Sequence, residues 1–128
     1  MPGMKVIVAS RTLRPQDHPK VQVVGDNLEG VVRELREQSG KDIWLWGGGL
    51  LFRSLLDARL VDAVEVAVMP VLIGDGIPLL PPGGRAKLKL TGHRLYETSG
   101  IMALEYAVEY GKARPAAAPR KAGTRRQR

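Results

Sequence analysis

The sequence predicts an α/β fold: a mixed, mostly parallel sheet flanked by helices and closed by a C-terminal antiparallel hairpin. Three observations predict it. Short β-branched runs alternate with amphipathic helical stretches through the first 60 residues or so, the order that builds parallel strands through helical crossovers. The run Ile43-Trp44-Leu45-Trp46 breaks into Gly47-Gly48-Gly49 and restarts as Leu50-Leu51-Phe52-Arg53-Ser54-Leu55-Leu56, a strand, a turn and a helix in succession. Two long runs near the end, Lys87 to Thr98 and Ile101 to Glu109, flank Ser99-Gly100 as a hairpin around a two-residue turn.

Taken in order, Lys5 to Ser10 is β-branched and reads as a strand buried on both faces. Pro15 and Pro19 bound a loop, and Val21 to Val24 forms a second short strand. Asp26 is an apt N-cap for the helix that follows, with Glu29 three residues on completing a capping-box-like pair. Leu28, Val31, Val32 and Leu35 fall on one helical face, and Gly40 ends the helix as a C′ glycine. The strand at Ile43 to Trp46 and the three glycines come next, then a helix to about Leu60, with Leu51, Leu55 and Ala58 on one face. Ala63 to Ile73 is the longest strand candidate, but Pro70 lacks an N–H and implies an edge, a bulge or a break there. Gly74-Asp75-Gly76 is a turn and Pro81 to Gly84 a loop. In the last strand Met102, Leu104, Tyr106 and Val108 share one face.

At 128 residues the chain suits one domain, expected at 1–111, with a basic tail at 112–128. The net charge of +7 lies in that tail: seven of the 20 basic residues sit there with no acid, leaving 13 against 13 acidic residues in the body. Proline, alanine and glycine make up most of the rest of it, with no periodic apolar face to offset the entropy of ordering, and it reads as disordered. A solubilising role is the plain reading. Weak, salt-sensitive nucleic-acid contact is the alternative, disfavoured by the absence of any aromatic to stack on bases. No apolar run is long enough to span a bilayer, no signal peptide is visible, and there is no cysteine for a disulfide, thiolate zinc site or thiol nucleophile. A cytoplasmic protein with no membrane partner fits.

The glycine triplet carries the most specific chemistry. A glycine backbone reaches positive φ and approaches an anion closely, while the helix behind it aims free N–H groups and the positive end of its dipole at the same point. Such a triplet is as often a plain turn. It is neither a Walker loop, since no Gly-Lys-Ser/Thr follows, nor the G-x-G-x-x-G fingerprint, since Phe52 stands where its last glycine would be. Arg11 offers a planar donor fork suited to phosphate, and alone it reads as a solvated loop charge. Trp44 and Trp46 face one side of their strand. Packing against a helix is their default role, and lining a cleft the alternative. His18 and His93 have no ligand-like spacing to any partner, so a transition-metal site is not expected. Asp62 reads as a cap or turn residue, Asp75 as a turn residue bonding its own backbone, and no G-x-S-x-G elbow supports acyl transfer.

Five blocks in this order resemble a known family. They are Lys5 to Leu13 (KVIVASRTL), Gly40 to Gly49 (GKDIWLWGGG), Leu60 to Ala63 (LVDA), Met69 to Pro78 (MPVLIGDGIP) and the closing hairpin. Together, over about Lys5 to Val108, they resemble the dihydrofolate reductase-like superfamily, and within it the C-terminal reductase domain of the riboflavin-pathway bifunctional deaminase-reductase and its stand-alone relatives. The resemblance implies an NADPH-dependent reductase acting on a small pterin-like or 5-amino-6-ribosylaminouracil-like substrate. It places Gly47, Gly48, Gly49 and Leu50 at the cofactor pyrophosphate, and Ser10, Arg11 and Thr12 at the adenosine 2′-phosphate. It identifies no proton donor, so no catalytic residue is named.

Family members also carry a portion before the strand that begins here at Lys5. It holds the central strand, with its Asp-Gly segment near nicotinamide and substrate, and a helix with a second phosphate-binding element. That strand would lie between Ile43 to Trp46 and the strand at Val64. Its absence leads to the expectation of an impaired enzyme, or of one completed by a partner chain or a swapped homodimer. A non-catalytic dimerising module is the second reading, and nucleic-acid binding through the tail the third.

Overall fold

The computed structural model describes residues 3–111, and the expected disorder of 112–128 lies outside them. The strands form two small sheets rather than one. β1 (Ile7–Ala9) and β2 (Gln22–Val24) pair in parallel, Val8 opposite Val23. β3 (Ala63–Val68), β4 (Lys87–Tyr96) and β5 (Ile101–Glu109) form an antiparallel sheet in the order β3-β5-β4. The expected α/β class and terminal hairpin hold, but the sheet is not mostly parallel: one short pair is parallel and the larger sheet is antiparallel throughout.

The expectation fails at Ile43 to Trp46, which joins no ladder among the described residues. Alternation makes a segment fit to be a strand, but a strand exists only when a neighbour takes its N–H and C=O groups. The segment is held instead by Leu45, which packs against the helical core, while Ile43, Trp44 and Trp46 are exposed. The tryptophans therefore do not fill the core. Their rings lie 5.4 Å apart on the outer side, Trp46 being 74% exposed. Lys5 to Ser10 likewise is not buried on both faces: Ile7 and Val8 are half-buried and the rest of β1 is exposed.

Two helices make the core. α1 (Leu28–Glu37) turns Val32 inward, and α2 (Gly49–Asp57) contributes Leu55 and Leu56. With Leu60 and Val61 these form one buried cluster, lined by Leu28, Phe52, Val64 and Val108. α1 begins one residue later than Asp26 would place it: Asn27 is the N-cap, with no side-chain capping bond, so the Asp26–Glu29 capping pair does not form. Its C-cap is Gln38, so Gly40 lies beyond the helix end. α2 stops at Asp57, short of the expected Leu60. Arg59 N donates to Leu56 O at 3.0 Å and Leu60 N to Leu55 O at 2.8 Å, the paired bonds of a Schellman ending. Arg59 takes the left-handed conformation, φ 61°, that glycine normally supplies. Three features support it: its guanidinium lies 5.2 Å from the centre of the Tyr110 ring, it donates to Gly111 O, and Leu60 drops into the core.

α1 is tied to this helix end by its arginines. Arg33 and Arg36 donate to the carbonyls of Ala58 and Arg59, and Arg36 Nη2 meets Asp62 Oδ1 at 2.7 Å. Cations at a helix C-terminus complement its exposed carbonyls. Asp62 is thus an ion-pair partner as well as a junction residue. The Tyr110 hydroxyl donates to Val61 O at 2.6 Å and accepts from Val61 N at 3.2 Å, locking the entry to β3 onto the end of β5. Burial pushes that hydroxyl above its ordinary pKa, with the Val61 bond acting the other way. β3 stops at Val68, two residues before Pro70, as the missing N–H requires. The hairpin turn spans four residues rather than two, 97–100, because the amides of Ser99 and Gly100 both close on Tyr96 O. No helix among the described residues is long and apolar enough to cross a membrane.

Candidate functional site

The glycine turn is shaped by what lies behind it. Gly47 has φ 93°, a conformation that side chains rarely take, and a Cβ built on Gly47 or Gly48 would meet nothing within 4 Å. Gly48 is the N-cap of α2, extended and without a side chain to cap it. The first intrahelical bond runs from Phe52 N to Gly48 O, 3.0 Å, so the amides of Gly49, Leu50 and Leu51 have no acceptor within the helix. No acid occupies the first turn, and Leu50 is 80% exposed there. Gly47 and Gly48 therefore border open space at a helix end whose free donors suit an anion.

Gly49 belongs to a different argument. A Cβ on it would lie 3.0 Å from Leu79 O and 3.5 Å from Pro81, so the loop before β4 closes directly on this residue. Its lack of a side chain is explained by chain packing with no ligand required. The same loop is held down by Arg53, whose Nη1 reaches Gly84 O at 2.8 Å and Asp57 Oδ1 at 3.0 Å. Its guanidinium fits because Gly83 has no Cβ to strike it.

Ser10, Arg11 and Thr12 follow β1, beside the end of β2, where Ser10 N donates to Val24 O at 3.0 Å. Ser10 Oγ accepts the amides of Thr12 and Leu13 at 3.3 and 3.1 Å and lies 3.4 Å from Thr12 Oγ1. That is a self-contained turn, with one of the two hydroxyl protons left to donate outward. Arg11 is not a free solvated charge: its Nε lies 3.1 Å from Asp26 Oδ1, both side chains being exposed (81% and 91%). Asp26, expected as a cap, is thus the counter-ion of the arginine expected at a phosphate. Nothing in the sequence spacing marks that pair, because β2 and the chain reversal before it bring the two together.

The three residues at the end of β1 form one group and the glycine turn another, and among the described residues no hydrogen bond or ion pair links them. Asp75 bonds the amide of Gly76 at 2.7 Å, as a turn residue does. His18 and His93 are exposed, and no group of metal-ligating side chains occurs among the described residues.

Comparison with known proteins gives a consistent picture. The family model of the RibD C-terminal domain matches residues 2–102. The Bacillus subtilis (strain 168) protein YyaP is 34% identical over 103 residues, 80% of this chain and 54% of that protein. Its compatriot YwjB is 27% identical over 77 residues, 59% of this chain and 44% of that one. A putative riboflavin biosynthesis protein from Shewanella sp. PV-4 superposes with a TM-score of 0.70 at 21% identity, covering 86% of this chain and 64% of its own. A pyrimidine reductase-like protein from Corynebacterium diphtheriae gives 0.62 at 19%, covering 83% and 50%. These two share the fold, and the chain spans about half the length of the curated relatives it matches.

Proposed function

The chain belongs to the RibD C-terminal domain family, and from that footing we propose that it carries the cofactor side of an NADPH-dependent reductase site in the riboflavin-pathway reductase style. The observation that carries the proposal is the open face of Gly47 and Gly48 in front of the unpaired amides of α2. A pyrophosphate there would replace water on three N–H groups and face the positive end of the helix. Arg11, with the hydroxyls of Ser10 and Thr12, would receive the adenosine 2′-phosphate. The residues fit at that end on one condition: Arg11 must exchange Asp26 for the ligand. An exposed pair contributes only ~0–1 kcal/mol, so a phosphate dianion with bidentate geometry can displace it.

Bound there, the nicotinamide cofactor supplies the hydride for a pterin-like or ribosylaminopyrimidine-like substrate. What this chain's residues do is bind and orient: the glycine turn fixes the middle of the dinucleotide and Arg11 reads its far end. No described residue is assigned the proton transfer.

Titration with NADPH, read by quenching of the exposed Trp44 and Trp46 just before the turn, tests the proposal. Saturable binding that Gly48→Asp abolishes is the expected result, since the variant places a carboxylate in the open space before the amides. Binding unchanged in Gly48→Asp removes the glycine turn from the site.

A further inference from the structure

Helix α2, the antiparallel sheet and the loop between β3 and β4 leave a pocket of about 170 Å³ between them. Phe52, Arg53 and Leu56 roof it from the helix. Val66, Tyr106 and Leu88 form its floor, one from each strand, on a single face of the β3-β5-β4 register. Leu79 walls it from the loop, and the carbonyl of that residue is the one that closes on Gly49.

Arg53 is the only charged residue in this lining, and its side chain is 14% exposed. Its charge is already answered: Nη1 lies 3.0 Å from Asp57 Oδ1 and 2.8 Å from Gly84 O. Nε is not answered. It is shut off from water without an acceptor, beneath Gly83, where a Cβ would come within 2.8 Å of it. A buried N–H left unpaired is rare in folded proteins because its desolvation is uncompensated.

We propose that this pocket binds a neutral, single-ring aromatic molecule carrying one hydrogen-bond acceptor, with the ring against Phe52 and Tyr106 and the acceptor on Arg53 Nε. Size sets the single ring: an apolar cavity of about 150 Å³ stays dry and binds benzene. The two aromatic walls favour a ring over a branched aliphatic group, since edge-to-face and offset contacts add to the area buried. Charge sets the neutrality. Asp57 already pairs the guanidinium, so a carboxylate entering beside it would meet a like charge. The Gly83-Gly84 backbone, with no side chains to clash, eases back to admit the acceptor. A filled pocket then holds the loop down on the start of α2. The pocket is distinct from the open face of Gly47 and Gly48 and independent of the cofactor reading.

Methyl NMR of the full chain, titrated with three probes, tests the assignment. Acetophenone has the ring and the acceptor, α-methylstyrene replaces its carbonyl oxygen with CH2, and benzoate adds a charge. Saturable shifts are expected at the methyls of Leu56, Val66, Leu79 and Leu88. Acetophenone should bind on the order of tenfold more tightly than α-methylstyrene, the effect of one hydrogen bond to a charged donor, and more tightly than benzoate. Val66→Phe fills the floor and should abolish the shifts, with circular dichroism reporting whether it folds. Arg53→Lys keeps the charge beside Asp57 but has no Nε. It should bring acetophenone down to the affinity of α-methylstyrene and leave the latter unchanged, which keeps the test decisive if Val66→Phe does not fold. No saturable shift at these methyls with any probe overturns the site. Equal affinity for acetophenone and α-methylstyrene in the parent, or tightest binding by benzoate, overturns the ligand class.

Discussion

Removing the Asp26 carboxylate is the sharpest test of how the 2′-phosphate would be read. In the structure Arg11 Nε lies 3.1 Å from Asp26 Oδ1, with both side chains largely in water. At that distance the bare attraction in bulk water is about 1.3 kcal/mol. Ordering two long exposed side chains offsets part of it, leaving ~0.2–1 kcal/mol. NADPH must displace the pair to gain Arg11, whereas NADH has no phosphate there and leaves it intact. Asp26→Ala should therefore tighten NADPH by about 1.4- to 5-fold, since 1.4 kcal/mol corresponds to a factor of ten. NADH affinity should stay the same. Arg11→Ala should do the reverse, reducing the preference for NADPH and cancelling the effect of Asp26→Ala in the double variant. Tryptophan quenching of the parent and the three variants with both nucleotides measures all eight constants. If Asp26→Ala tightens NADH as much as NADPH, the carboxylate acts through general charge and Arg11 is not the reader of the phosphate.

The two glycines flanking the start of α2 should respond differently to alanine. Gly48→Ala meets open space in an extended conformation and should leave the urea midpoint almost unchanged, whereas Gly49→Ala strikes Leu79 O at 3.0 Å. The gain in helix propensity there is at most ~1 kcal/mol and the overpacking cost ~1–3 kcal/mol, so net destabilisation is expected, and a stabilised Gly49→Ala would refute the packing argument. Tyr110→Phe removes both bonds to the buried Val61 backbone and should cost about 1–2 kcal/mol in urea unfolding at neutral pH. Because the folded hydroxyl has a raised pKa, its contribution is complete below the unfolded value near 10 and is lost as pH rises through the folded value. The gap between parent and Phe variant should accordingly close on the alkaline side and nowhere else. A gap that closes toward acid would contradict the assignment. The exposed Lys87–Glu109 pair, 2.9 Å apart, holds the Glu109 carboxyl below its ordinary range. Its small stabilisation is present above the unfolded value and fades as pH falls through the folded one, and Lys87→Met should remove that acid-side dependence from the unfolding curve.

Local patterns determined a good part of this chain. The face of Leu28, Val31, Val32 and Leu35 specifies α1, the glycine triplet ends one segment and opens α2, and Pro70 stops β3. The alternation from Lys87 to Glu109 builds the hairpin, and the blocks that resemble the reductase family are borne out by the family match. These are consequences of periodicity and of backbone restrictions on glycine and proline, which operate within a few residues. What depended on distant partners was decided by the tertiary structure. Ile43 to Trp46 has the alternation of a strand, yet among the described residues no neighbouring strand pairs with it, and its tryptophans face outward. Arg59 holds a left-handed helix ending without being glycine because Tyr110, 51 residues later in the sequence, supports it and Leu60 is buried beneath. Asp26 pairs with Arg11 rather than capping α1, and a loop thirty residues downstream closes on Gly49 where a side chain would strike it. In each case a side chain's role was set by which groups folding brought within a few ångströms, and that proximity is not encoded in its immediate neighbours.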